Sequence, residues 1–245
     1  MCDPVEPVTI CLRIPGKWAH PGELIEQMPE GCRLTGEALI LPDGEEVDFG
    51  AMAADDQFAK IFRSSCRQPA TDEELAVVDA YAVNIFLSGP GGSMESARTM
   101  MRAGAAIVRA GGAGVFIDNC GLAHGGANWL DMTDDAGADA LSFAFASIIR
   151  GKTDATTMGM HALGLREIVM KRTDIEADGF DIVEVIRYVC RGEKPIDDGH
   201  IIADLDGPRF QIITQKSSDE FAGSPMHNPY GRMKLVSLRD IAEAN

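Results

Sequence analysis

A cysteine and a histidine four residues apart are the most direct indication of catalytic chemistry in this sequence. Cys120 and His124 follow residues 113–118, an apolar stretch typical of a buried strand. A thiolate is a strong nucleophile, and a neighbouring imidazole can take up the thiol proton. The two side chains could therefore act as nucleophile and base, although no signature of a known cysteine-enzyme family surrounds them.

Two other chemistries can be built from the same region and one later segment. Asp118 and Glu167 could form an acid/base pair. The potential metal ligands are Cys120, His124, Asp131 and His161. Their spacing matches no zinc module, so we predict no metal and no other cofactor.

His161 lies in a second apolar stretch, for which the alternation of residues 156–163 predicts a strand. A single histidine in such a pattern is typical of a hydrogen-bonded core residue. It is also a candidate catalytic residue, together with Glu167 a few positions further on.

Residues 118–131 form the strongest candidate site. This Gly-rich segment directly follows a predicted strand, and its candidate ligand-binding residues are Asp118, Asn119 and Trp129. Loops held by rigid elements often carry function, and we predict a loop over residues 119–133. The alternative is a structural loop in which the polar groups satisfy the backbone and the tryptophan packs in the core.

A glycine-rich turn offers a candidate anion site. Gly91, Gly92 and Ser93 join a predicted strand to a helix start, where free backbone N–H groups can bind an anion. Both the dinucleotide-binding and the P-loop patterns are absent. The alternative is a tight turn followed by a helix cap.

The elements that must position these residues alternate between strand and helix patterns. A hairpin is predicted across Asp43-Gly44, a capping box begins at Thr71, and Ser93 caps a helix that ends near residue 110. Up to residue 92 the order is β-α-β-β-α-β, which is the ferredoxin-like order. We therefore predict an α+β protein of two packed ferredoxin-like halves, 1–92 and 93–245, with a single domain as the alternative division. Another helix is predicted over 134–150.

Two segments resemble a known family. The first is Val115-Phe116-Ile117-Asp118 with the following Gly-rich segment, and the second runs from Thr157 to Ile168. Together they are similar to the bacterial domain-of-unknown-function family numbered 4261, over roughly residues 80–205. The resemblance implies a shared fold; the family has no assigned activity that would give these residues a role.

The charge of the chain narrows the classes of partner. With 22 Lys and Arg against 38 Asp and Glu, the formal net charge is -16. Nucleic-acid binding relies on basic side chains that release counterions from phosphates, so we predict neither nucleic-acid nor membrane binding. Residues 1–92 alone carry 6 basic and 16 acidic groups, a net of -10, which a basic protein partner could recognise.

The six cysteines lack paired spacing, and no signal segment opens the chain. We therefore predict free thiols and a cytoplasmic protein. The oligomeric state does not follow from the sequence. The first functional hypothesis is a non-enzymatic binding or interaction protein, and the alternative is a hydrolase-like small-molecule enzyme that uses residues 118–131 with His161.

Overall fold

A computed structural model describes residues 7–177, 181–192, 194, 196–203 and 208–243. In chain order the strands are β1 (Thr9–Gly16), β2 (Arg33–Leu34), β3 (Ala38–Ile40), β4 (Glu46–Ala53), β5 (Val83–Pro90), β6 (Gly114–Ile117), β7 (Leu122–Gly125), β8 (Ser147–Arg150), β9 (Asp154–Met158), β10 (Glu167–Lys171), β11 (Ile201–Ala203), β12 (Arg209–Gln215) and β13 (Arg232–Ser237). The helices are α1 (Pro21–Glu26), α2 (Phe58–Ser65), α3 (Asp72–Asp79), α4 (Met94–Arg109), α5 (Gly126–Asp135), α6 (Ala138–Phe145), α7 (Arg172–Ala177), α8 (Ile182–Arg191) and α9 (Leu238–Glu243). Short 3₁₀-helices cover Met160–Leu163 and Asp219–Phe221.

The described strands form two sheets, which confirms the α+β class. The first sheet has the order β2-β3-β4-β5-β1-β6-β7, and its neighbours are antiparallel. The second has the order β11-β12-β13-β10-β9-β8, in which β10 and β13 are parallel. The two ferredoxin-like halves are not confirmed: a ferredoxin-like N-terminal half would place β1 between β4 and β5, whereas β4 pairs with β5 directly and β1 lies between β5 and β6. Strands β6 and β7 follow residue 92 in the chain, yet they join the first sheet. The division of the chain into halves at residue 92 stays a prediction.

Helix α4 packs on the first sheet and also contacts elements that belong to the second half of the chain. It packs on β1 and β5 and also contacts α5, α6 and the 3₁₀-helix that precedes β10. The core is continuous from one sheet to the other: Leu12 and Leu87 belong to the same buried cluster as Ile168 and Leu235. A smaller cluster, which includes Phe58, lies where α2 and α3 cover the far side of β6 and β7. Among the described residues, no helix is long and apolar enough to cross a membrane.

Local signals worked well where the partner residues are close in sequence. Gly44 donates its N–H to the carbonyl of Leu41 in the β3–β4 turn. Thr71 and Glu74 form the complete capping box of α3, and the Ser93 hydroxyl accepts from the N–H of Ser96 at the start of α4. These three predictions are confirmed.

Three element predictions were wrong. Residues 119–133 contain β7 and most of α5 instead of a loop, and residues 134–150 contain α6 and β8 instead of one helix. The strand predicted over 156–163 ends at Met158, so His161 lies in a 3₁₀-helix. Strand β6 belongs to the first sheet and the His161 segment follows β9 of the second, so the two are not neighbours in one sheet. The helical spacing of Val183, Ile186 and Val189 also predicts a helix from Phe180 to Arg191. Helix α8 covers Ile182–Arg191, and Phe180 lies outside the described residues.

Candidate functional site

The 3₁₀-helix that carries His161 is fixed by a glycine at each end. Gly159 has φ 102° and Gly164 has φ 79°, the left-handed region that favours glycine. A Cβ at Gly159 would overlap the carbonyl oxygen of Phe145, so the close approach also requires glycine. This tight connection between β9 and β10 turns the His161 side chain towards Glu167.

Glu167 is a buried carboxylate at the start of β10 that accepts hydrogen bonds on both oxygens. Its Oε2 accepts from the hydroxyl of Thr157 at 2.6 Å, and its Oε1 accepts from the N–H of Gly159 at 3.1 Å and from Nδ2 of Asn228 at 2.8 Å. Nδ1 of His161 lies 3.5 Å from the same Oε1. A buried charge is stable only when it is paired or hydrogen-bonded in this way.

His161 is held on its other side by a chain segment far away in sequence. Its Nε2 lies 2.8 Å from the carbonyl oxygen of Pro225, which can only accept, so the hydrogen bond needs a proton on Nε2. Nδ2 of Asn119 lies 3.3 Å from Nε2 of His161, and it donates its two hydrogen bonds to the carbonyls of Thr9 and Pro225. The structure thus brings together three of the sequence-predicted residues, His161, Glu167 and Asn119.

We call Asn119, Thr157, His161, Glu167 and Asn228 the buried polar cluster. A cavity of about 240 Å³ lies against it, with Thr157, Glu167 and Asn228 in its wall. The segment from Ser217 to Asn228, which contains the second 3₁₀-helix, covers the cavity opposite strands β9, β10 and β13. A small molecule in this cavity would contact the cluster at Glu167 and the covering segment at once.

The cavity wall carries one cationic side chain beside two carboxylates, Glu167 and Glu220. Arg232 lines it, and its Cα is the register partner of Glu167 across the β10–β13 pair. Lys234 projects from the same face of β13, whereas Met233 and Leu235 on the other face are buried. Among the described residues, no carboxylate lies within ion-pair distance of Arg232 or Lys234. In a chain of net charge -16, two neighbouring cations without an ion pair to any described residue are a distinct local feature.

The remaining members of the 118–131 candidate site lie apart from the cluster. Asp118 pairs with Arg13 at 2.9 Å instead of with Glu167. Burial raises the pKa of Asp118, and the charge of Arg13 opposes that rise. Trp129 is fully buried and donates from Nε1 to the carbonyl of Met101 at 3.1 Å, so it lines no concavity.

The predicted nucleophile and base are both core residues. Cys120 is buried, and burial raises the pKa of its thiol to about 12, so the thiol stays protonated at neutral pH. His124 lies with Nε2 3.1 Å from the carbonyl oxygen of Ala144, and burial lowers its pKa to about 4. No described hydrogen bond joins the two side chains. Neither group is therefore prepared for nucleophilic catalysis.

The glycine N–H groups of the predicted anion site already donate to other parts of the chain, and the predicted metal ligands do not come together. The N–H of Gly91 donates to the carbonyl of Val8, and that of Gly92 donates to the carbonyl of Ala162. The Ser93 hydroxyl caps α4. Within the part of the chain that the structure describes, no three His, Cys, Asp or Glu side chains come close enough to hold a metal ion. The five described cysteines are free.

Thr157, Asn228 and Arg232 were missed by the sequence analysis. Arg232 begins an alternation of charged and apolar residues over the first four positions of β13, in which Arg232 and Lys234 are half-buried and Met233 and Leu235 are buried. Asn228 precedes Pro229 in a predicted turn, and nothing in the sequence of that turn indicates a long-range contact. Its amide reaches Glu167 across 61 positions of sequence, a contact that only the folded chain reveals.

Comparisons with protein-family models, curated proteins and solved structures found no match. The resemblance to family 4261 therefore stays a prediction.

The buried His124 should make the protein sensitive to acid. Its folded-state pKa of about 4 is below the ordinary value of 6.5, so the unfolded chain binds the proton first as the pH falls. The free energy of unfolding should therefore drop by about 3 kcal/mol between pH 6.5 and pH 4, on top of the contributions of other groups. Urea unfolding at several pH values should show a smaller drop for His124→Gln, which cannot titrate. Parallel pH profiles for the two proteins would contradict this assignment.

Proposed function

We propose that this chain is a non-enzymatic binding protein whose cavity beside Glu167 takes a small molecule with a carboxylate group. The observation that supports it most is Arg232, a guanidinium at the cavity wall without an ion-pair partner among the described residues. A guanidinium matches a carboxylate in shape and can donate two parallel hydrogen bonds to it. Lys234 adds a second positive charge on the same strand face.

The rest of the cavity favours a ligand with an apolar portion. Ile149, Met158, Phe221 and Met226 supply apolar wall, and hydroxyl groups of Ser217 and Ser218 lie on the covering segment. Ligand sites commonly combine such apolar lining with a few polar groups that fix orientation. The volume of about 240 Å³ suits a molecule of a few carbon atoms.

Two carboxylates line the cavity with Arg232. Glu220 is exposed, so solvent and salt screen it, whereas Glu167 is buried and its side chain is already engaged within the protein. Its two oxygens already accept hydrogen bonds from Thr157, Gly159 and Asn228, and His161 adjoins it. These donors stabilise the charge inside the protein, leaving Arg232 available for an incoming anion.

The hydrolase-like alternative has one supporting observation, the 3.5 Å approach of His161 to Glu167 beside the cavity. A general base would need a free imidazole nitrogen within reach of substrate. Here Nε2 faces the carbonyl oxygen of Pro225, and Glu167 is engaged on both oxygens. The arrangement therefore favours binding over turnover.

Hexanoate and its neutral analogue hexanamide test the proposed anion site. Calorimetric titration should show hexanoate binding at least about tenfold more tightly, because a charge-assisted hydrogen bond contributes about 1.5–3 kcal/mol. Arg232→Gln should remove that preference. Arg33→Gln, which replaces an exposed arginine on β2 of the other sheet, is the matched control and should bind like the wild type. Equal affinity of the Arg232→Gln variant and the wild type for hexanoate would refute the assignment.

A further inference from the structure

Strand β4 has an edge that is only partly covered. It spans eight residues, Glu46–Ala53, and β5 pairs with it from Asp48 to Ala53 on one side. On the other side β3 pairs with residues 46–48 only, and the last bond there runs from the N–H of Phe49 to the carbonyl of Glu37 at 2.7 Å. Residues 50–53 therefore have one open side.

The open side presents backbone donors and acceptors. In an antiparallel strand both polar groups of a residue point to the same neighbour, and the direction alternates along the chain. Since Phe49 points towards β3, Ala51 and Ala53 point the same way, beyond the end of β3. Across the described ranges no group hydrogen-bonds to them on this side, and both residues are exposed, as is Met52 between them.

The surroundings of this edge are strongly acidic. Residues 34–59 contain seven acidic residues and no Lys or Arg. Asp43 pairs with Arg102 on α4. The other six are exposed and make no ion pair with a described residue: Glu37, Glu45, Glu46, Asp48, Asp55 and Asp56.

We infer that the open edge of β4 binds an extended, basic segment of a partner protein. The segment adds a strand beside residues 50–53, where backbone hydrogen bonds to Ala51 and Ala53 hold it, and its Lys or Arg side chains meet the carboxylates at both ends of the edge. Glu37 lies at one end and Asp55 with Asp56 at the other, about 20 Å apart at about 3.3 Å per residue. A second copy of the chain is disfavoured, because its own edge would bring the same negative charges.

This surface is independent of the cavity beside Glu167, which lies on the other sheet. Loss of one binding activity therefore leaves the other intact. Much of the net charge of -10 that residues 1–92 carry lies around β4, at this surface.

The test uses a nine-residue peptide that alternates lysine and threonine, with both ends blocked. Two control peptides have the same sequence and charge but carry N-methyl groups on every second amide. One is methylated at the odd-numbered amides and the other at the even-numbered amides, and we call these the two methylated phases. Fluorescence anisotropy at about 0.15 M salt should show at least about tenfold tighter binding of the unmodified peptide than of one methylated phase, because strand addition needs its N–H groups. Binding of both phases as tight as that of the unmodified peptide would overturn strand addition, and so would no binding at all.

Two protein variants separate the backbone contribution from the charge contribution. Ala51→Pro removes an outward N–H at the uncovered end of β4, where that N–H has no partner within the sheet and proline is tolerated, and should weaken peptide binding at least about tenfold. The double variant Asp55→Asn/Asp56→Asn keeps the strand and should weaken binding severalfold while reducing its salt dependence. Wild-type affinity in both variants would overturn the proposal. Concentration-dependent dimerisation that Ala51→Pro abolishes would do so too, because it would assign the edge to a second copy.

Discussion

Replacing Glu167 with alanine should lower the free energy of unfolding by about 3–5 kcal/mol, the range for breaking a buried charged interaction. The carboxylate accepts hydrogen bonds from Thr157, Gly159 and Asn228, and the variant leaves these buried donors without their acceptor. His161 loses its neighbour as well. Because the network joins β9, β10 and the segment that follows β12, the loss should reduce the stability of the whole second sheet.

Glu220→Ala provides the matched control for this prediction. Glu220 lines the same cavity, but it is exposed and makes no ion pair with a described residue, so its removal should change the free energy of unfolding by less than about 0.5 kcal/mol. Urea unfolding of both variants measures the difference directly. Similar small effects at the two positions would mean that Glu167 is not a stabilising centre of the network.

The sequence predicted elements well where their stabilising contacts are local. The Asp43-Gly44 turn, the Thr71 capping box and the Ser93 cap each depend on residues no more than a few positions apart. It failed over residues 119–150, where the decisive contact is distant. Helix α5 begins at Gly126 without a side-chain cap of its own, and Glu74 on α3 accepts from the N–H of Ala127 at 2.8 Å instead. No local pattern can indicate a cap supplied from 53 positions away.

The candidate site was predicted in part for the same reason. Polarity within apolar stretches drew attention to His161, Glu167 and Asn119, and the fold brings these three together. Their spacing could not show that Pro225 and Asn228 complete the network, since Pro225 lies 64 positions after His161 and Asn228 lies 61 positions after Glu167. The 118–131 segment drew attention for its polar and glycine residues, yet its glycines serve strand pairing and close packing. A Cβ at Gly125 would overlap Oε2 of Glu74, for example.

Trp129→Ala should be about as destabilising as the loss of Glu167, at about 3–5 kcal/mol, because it removes the largest fully buried side chain of the core. The indole packs against α4 at Gly104, where a Cβ would lie 2.9 Å from Nε1. Gly104 should therefore be required only while the tryptophan is present. In the wild type, Gly104→Ala should destabilise the protein through this clash, although alanine favours an isolated helix by about 1 kcal/mol. In the Trp129→Ala background the same change should be neutral or stabilising, and urea unfolding of the four proteins measures the coupling as a double-mutant cycle. Additive effects would show that the two residues do not contact each other, and a small cost of Trp129→Ala would return the tryptophan to the candidates for a binding surface.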